Sequence, residues 1–131
     1  MTGLDTNILV RFFAKDDPTQ TPKARAVFSS LSPSEPGWVG VATILELVWV
    51  MTSKIGVGRD LVAQILAELL TRETIVVEQA ETIEKALLRY RRGRADFADC
   101  LIAASAKAAG CSRTVTFDRI AARDAGMELV G

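Results

Sequence analysis

Arg94-Ala95-Asp96-Phe97-Ala98-Asp99-Cys100-Leu101-Ile102-Ala103-Ala104 is the stretch on which the fold turns. It opens a helix, with carboxylates at i and i+3 and an apolar run behind them, and residues three apart share one helical face. Asp96 and Asp99 therefore look the same way. The helix runs on to Gly110, a natural stop. Thr114-Val115-Thr116-Phe117 then reads as a short strand that ends at Asp118. A helix dipole stabilises acids in a first turn, and capping alone accounts for any one of these carboxylates. Their recurrence at strand ends is the more informative pattern.

Working outward, the same succession opens the chain. Met1 to Leu4 reads as a first strand closed by Asp5, and Asp5-Thr6-Asn7 supplies capping residues for a helix carrying Ile8, Leu9, Val10, Phe12 and Phe13. Asp16-Asp17-Pro18 starts a second helix, with proline suited to a first turn. Ser32 to Gly37 is a loop. Trp38 to Val41 is the second strand, and Thr43-Ile44-Leu45-Glu46 matches a capping box. The run Leu47 to Met51 is apolar on every side and is expected to be buried, in the core or under a partner. Arg59 to Arg72 is an amphipathic helix, Thr74 to Val77 a β-branched third strand, and Ala80 to Tyr90 a helix with Ile83, Ala86, Leu87 and Tyr90 on one face. Arg89 to Arg94 is a basic turn. After Asp118 come a short helix, Ile120 to Ala125, and a fifth strand, Met127 to Val130. Short apolar strands alternating with helices predict an α/β fold with a parallel sheet covered on both faces.

The chain is 131 residues long, the length of one domain over 1–131. Sixteen basic residues balance sixteen acidic ones, so any nucleic-acid binding must come from a local patch. There is no histidine, which removes serine-histidine triads, cysteine-histidine dyads and histidine metal sites together. The two cysteines, Cys100 and Cys111, lack zinc spacing and are expected as small buried apolar residues in a reducing compartment. Asp5 and Arg11 interrupt the start, so no signal peptide is expected, and the nearly apolar run Val39 to Met51 is shorter than the roughly 20 residues that span a bilayer. A cytoplasmic protein without a membrane segment is expected.

Ligands of open α/β sheets bind beyond the carboxyl ends of the strands. If the first and fourth strands are neighbours, Asp5, Glu46, Asp96, Asp99 and Asp118 face one crevice. Carboxylates gathered without a counterion raise one another's pKa, and a divalent cation removes the conflict. Oxygen ligands favour Mg²⁺ or Mn²⁺. Such an ion lowers the pKa of bound water and holds a phosphate oxygen, as phosphodiester hydrolysis requires. Thr6, Asn7 and Thr116 fit as neutral groups that orient carboxylates or water. Arg91, Arg92 and Arg94 are candidates for binding phosphates, those of RNA if the resemblance given below holds. Solvated capping and turn roles remain the alternative for each of these residues.

Leu4-Asp5-Thr6-Asn7, Glu46 within Thr-Ile-Leu-Glu-Leu, Asp96-Phe97-Ala98-Asp99-Cys100-Leu101-Ile102-Ala103-Ala104 and Thr116-Phe117-Asp118 together resemble the PIN domain. Spacing and size look most like the VapC-type toxins of bacterial toxin–antitoxin pairs, over essentially the whole chain. The resemblance implies a Mg²⁺- or Mn²⁺-dependent endoribonuclease and a five-stranded parallel sheet in the order 3-2-1-4-5, flanked by helices. It also implies a homodimer and a VapB-type antitoxin that binds it in a hetero-oligomer. On that carry-over Asp5 and Asp99 are the principal metal ligands and Glu46 completes the acidic set. Asp118 is a ligand directly or through water, and Asp96 an additional acid. Two other readings compete: a receiver-like phosphoacceptor domain, which needs a phosphorylatable aspartate after the third strand where Glu78-Gln79 stands, and a non-catalytic α/β binding module.

Overall fold

The computed structural model describes residues 1–131 as two compact units, Met1–Glu78 and Gln79–Gly131. In the first, β1 (Thr2–Gly3) leads into α1 (Thr6–Ala14), then α2 (Gln20–Ser30), β2 (Gly37–Val39), α3 (Val41–Trp49), a π-helical segment (Val50–Ile55), α4 (Arg59–Thr71) and β3 (Ile75–Val77). The second holds α5 (Ala80–Arg92), α6 (Phe97–Ala108), β4 (Val115–Thr116), α7 (Arg119–Asp124) and β5 (Glu128–Leu129).

All strand pairs are parallel, and β2 is central in the first unit, with Thr2 opposite Gly37 and Gly37 opposite Ile75. The predicted α/β architecture holds. Its strands pair in the order 3-2-1 in the first unit and 4-5 in the second.

Core packing follows the apolar positions of the sequence. Leu9, Val39, Leu69, Ile83 and Cys100 are fully enclosed within their units. Gly37 sits where β2 meets its neighbours, and a Cβ there would lie 2.8 Å from Leu4 Cδ1 and 3.1 Å from Ile75 Cδ1. In the first unit Phe12 and Phe28 stack at 3.7 Å between centroids, joining α1 to α2, with the Arg72 guanidinium 5.1 Å above Phe12.

Several local expectations need correction. The run Leu47 to Met51 is not buried on every side. Leu47, Val48 and Met51 are enclosed, but Trp49 is 55% exposed, with Lys54 Nζ 5.3 Å from its ring centroid. The change from α- to π-helix after Trp49 turns successive side chains away from the period assumed for a regular helix. Cys111 is exposed rather than buried, because it lies beyond the end of α6. Arg91 and Arg92 belong to the last turn of α5 and not to a loop. No helix is long and apolar enough to cross a membrane.

The start of α2 lies two residues later than Pro18. Asp17 makes it possible: its Oδ1 accepts hydrogen bonds from Thr19 N at 2.9 Å and Gln20 N at 2.7 Å. Those backbone amides hold the Asp17 carboxyl below its ordinary pKa of 3.8. A depressed folded-state pKa gives stability that is complete above the unfolded value and is lost as pH falls through the folded value. Asp17→Ala is therefore expected to lower the melting temperature at pH 7, with the difference from wild type closing on acidification below pH 3.8. An unchanged difference at all pH values would assign the effect to something other than this carboxylate.

Candidate active site

In the first unit Thr6 joins Asp5 and Glu46, the one through its backbone amide and the other through its hydroxyl. Asp5 is the N-cap of α1 in extended conformation, and its side chain accepts the Thr6 amide at 2.8 Å. Thr6 is buried, and its Oγ1 donates to Glu46 Oε1. A buried hydroxyl needs a partner, and here the partner is an exposed carboxylate on a different helix. Thr6 thus fixes one oxygen of Glu46. Asn7 is exposed in the first turn of α1.

Glu46 is not the closing residue of a capping box. α3 begins at Val41 with Gly40 as its N-cap, which places Glu46 in the second turn with its carboxylate free of capping duty. The cap role passes to Glu78, whose Oε1 accepts Val41 N at 2.9 Å. The acid that follows β3 is thereby occupied in holding α3. The receiver-like reading, which wants a phosphoacceptor at that place, loses its candidate.

The second unit gathers the other acids electrostatically. Asp96 occupies the N-cap position of α6, yet its side chain makes no capping hydrogen bond. Asp99, one turn on, is half-buried. Burial pushes its carboxyl above the usual 3.8, and the nearby charges of Asp96 and then Asp118 push it further the same way. Asp118 caps α7: its Oδ1 accepts Ile120 N at 2.8 Å and Ala121 N at 3.0 Å, while Thr116 Oγ1 accepts Asp118 N at 3.0 Å. The cap uses a single oxygen of Asp118. Thr116 braces the backbone at Asp118 rather than a carboxylate.

Asp124 and Glu78 were not legible as positioning residues. Asp124 Oδ2 accepts the backbone N–H of Arg94 at 2.8 Å and also binds Arg123. This fixes the chain two residues ahead of Asp96. Gly93 makes the approach possible, because a Cβ on it would stand 2.7 Å from Asp124 Cβ. The partners are 30 residues apart for Asp124 and 37 for Glu78, so no local motif announces either pair.

In neither unit do three metal-ligating side chains converge into a preformed cage. The chemistry of the donors is nonetheless specific. Every candidate ligand is a carboxylate, and Asp99 carries negative charge that neighbouring acids destabilise. An all-oxygen set of this kind suits a hard divalent cation and suits zinc or copper poorly.

A family model described as "PIN domain" matches residues 4–126. Among solved structures, the chain is similar to the VapC20 toxin of Mycobacterium tuberculosis, described as cleaving the sarcin-ricin loop. The TM-score is 0.48 and the identity 16%, with 94% of each chain covered. No curated protein matches the sequence.

Proposed function

Because the chain belongs to the PIN domain family, whose model spans residues 4–126, we propose that it is a Mg²⁺- or Mn²⁺-dependent endoribonuclease. In the same reading it is the toxin component of a VapBC-type pair, acting in the cytoplasm as a homodimer held in check by a VapB-type antitoxin. The two units work together as one PIN domain over 1–131. Family membership carries the reading. The mutually repelling carboxyls of Asp96, Asp99 and Asp118 support it, since the Asp96 side chain makes no capping hydrogen bond.

Asp5, Glu46 and Asp99 would hold the ion, with Asp118 and Asp96 binding it directly or through water. The ion, when bound, supplies charge to offset that of the phosphodiester transition state and acidifies water. The chain's own residues do the rest. Thr6 sets the direction of Glu46. Asp118 caps α7 through Oδ1, which leaves Oδ2 for the ion. Thr116 fixes the backbone at Asp118, and Asn7 would orient solvent beside the carboxylates. Exposed Arg91, Arg92 and Arg94 neutralise RNA phosphates.

RNA cleavage by the purified protein tests this with magnesium, with EDTA, and with Asp5→Asn. Cleavage is expected only for wild type with magnesium. Equal activity in EDTA, or full activity of Asp5→Asn, overturns the assignment.

A further inference from the structure

A large cavity lies away from the acids. It lies wholly within the second unit, has a volume of about 810 Å³, and is walled by Lys85, Arg89, Arg92, Lys107, Arg113 and Arg123. In a chain with no net charge, six cations on one cavity are a local concentration that the acidic site does not explain. Asp124 is the one acid on the wall, and it is tied to Arg123 at 2.9 Å and to the Arg94 amide.

Four elements build the wall. Lys85, Arg89 and Arg92 recur at i, i+4 and i+7 along one face of α5, where side chains stack above one another. Lys107 comes from the last turn of α6, Arg113 from the segment before β4 and Arg123 from α7. No carboxylate lies within ion-pair distance of Arg89, Arg92 or Lys107, and the bridges of Lys85 to Glu81 and Arg113 to Glu128 are long, at 3.5 Å, and exposed. The lining also carries small apolar residues, Ala103, Ala104, Ala108 and Ala125. Cations interleaved with apolar surface match a nucleotide strand, which offers phosphates to the one and ribose or base to the other. Four of the six cations are arginines, whose planar fork pairs with phosphate oxygens two at a time.

The cavity is set apart from Asp99. Eight residues of α6 separate Asp99 from Lys107, about 12 Å along the axis at 1.5 Å per residue. Ser112 and Thr114 on the wall precede β4, whereas Asp118 follows it. Acids and cations thus occupy opposite ends of the same short helix-and-ladder layer.

We propose that this basic cavity is a second RNA-binding site, which holds backbone phosphates of a strand segment beyond the scissile one. The proposal rests on the endoribonuclease reading for its choice of ligand. It makes the cavity an anchor that selects for RNA long enough to reach from the acids to Lys85 and Lys107.

A labelled 20-nucleotide single-stranded RNA, followed by anisotropy in EDTA over a salt series, reads the site without cleavage. Lys85→Ala/Lys107→Ala is expected to weaken binding on the order of twentyfold near 0.1 M salt and to reduce the log–log salt slope by about 1.4, at about 0.7 per lost contact. Lys85→Arg/Lys107→Arg should bind like wild type. Lys23→Ala/Arg25→Ala, which removes equal charge from exposed positions of α2, should change little. Equal losses in both alanine pairs would mean bulk electrostatics and would overturn the site. So would displacement of the RNA by tripolyphosphate or poly-glutamate at matched charge concentration, which would identify a small polyanion or an acidic peptide as the ligand. The two readings fail separately. Wild type that cleaves RNA while the lysine-to-alanine pair binds normally retires the cavity alone. Cavity-dependent binding without magnesium-dependent cleavage retires the nuclease alone.

Discussion

Asp99→Asn is expected to lower magnesium-dependent RNA cleavage by at least about a hundredfold, because even partners one shell out from a metal cost 10–100-fold when removed. The same substitution should make the metal-free protein more stable at neutral pH. The Asp99 carboxyl is raised above 3.8 by burial and by Asp96 and Asp118, so the folded state binds its proton more tightly than the unfolded chain does. Stability therefore falls as pH rises through the window that begins at 3.8, and the full burden is present at neutral pH. Asparagine carries no charge and escapes it. In EDTA the variant should melt above wild type at pH 7, and the two should converge below pH 3.8. Magnesium should raise the melting temperature of wild type, since binding to the folded state alone stabilises it, and should do little for Asp99→Asn. Equal magnesium shifts in the two proteins, or a variant that cleaves normally, would remove Asp99 from the metal site.

The second large effect is on folding. Phe97 is 1% exposed and meets Tyr90 edge to face, with centroids 5.7 Å apart and planes at 85°. This contact ties the first turn of α6 to the last turns of α5, beside Ala95 and Cys100 in the enclosed interior. Phe97→Ala is expected to cost about 3–5 kcal/mol, the range for truncating a buried aromatic, with the edge-to-face contact included in that loss. Set against a total of about 5–15 kcal/mol for a domain, this is enough to unfold much of the population at physiological temperature. Urea denaturation followed by far-UV circular dichroism measures it as a drop in midpoint at constant m-value. A loss below about 1 kcal/mol would show that the interior collapses around the missing ring. Phe97 also sits between Asp96 and Asp99, so residual folded variant should cleave RNA poorly, for want of a fixed first turn.

Much of the candidate site could be read without coordinates. Asp5 and Asp118 at strand ends, and Asp96 with Asp99 on one helical turn, were identifiable because the chemistry and the spacing are local. Glu46 was singled out as an acid at the opening of the helix after the second strand, and a capping box was the competing account of it. That account fails, because α3 starts two residues earlier than Thr43. The bond of Glu46 with Thr6 links positions 40 residues apart, beyond any periodicity. The basic stretch was seen as a turn, although the spacing of Lys85, Arg89 and Arg92 already places them on one helical face.

The sequence by itself determined the alternation of strands and helices, the apolar face of each helix, and the absence of histidine chemistry. These follow from periodicity and composition, which act within a few residues. Only the tertiary structure decided that Glu78 rather than a threonine caps α3, and that Asp124 holds the backbone of Arg94. It also decided that cations from α5, α6 and the approach to β4 wall a single cavity. Each of these depends on groups distant in the chain, whose meeting is set by how the elements pack and not by the residues beside them.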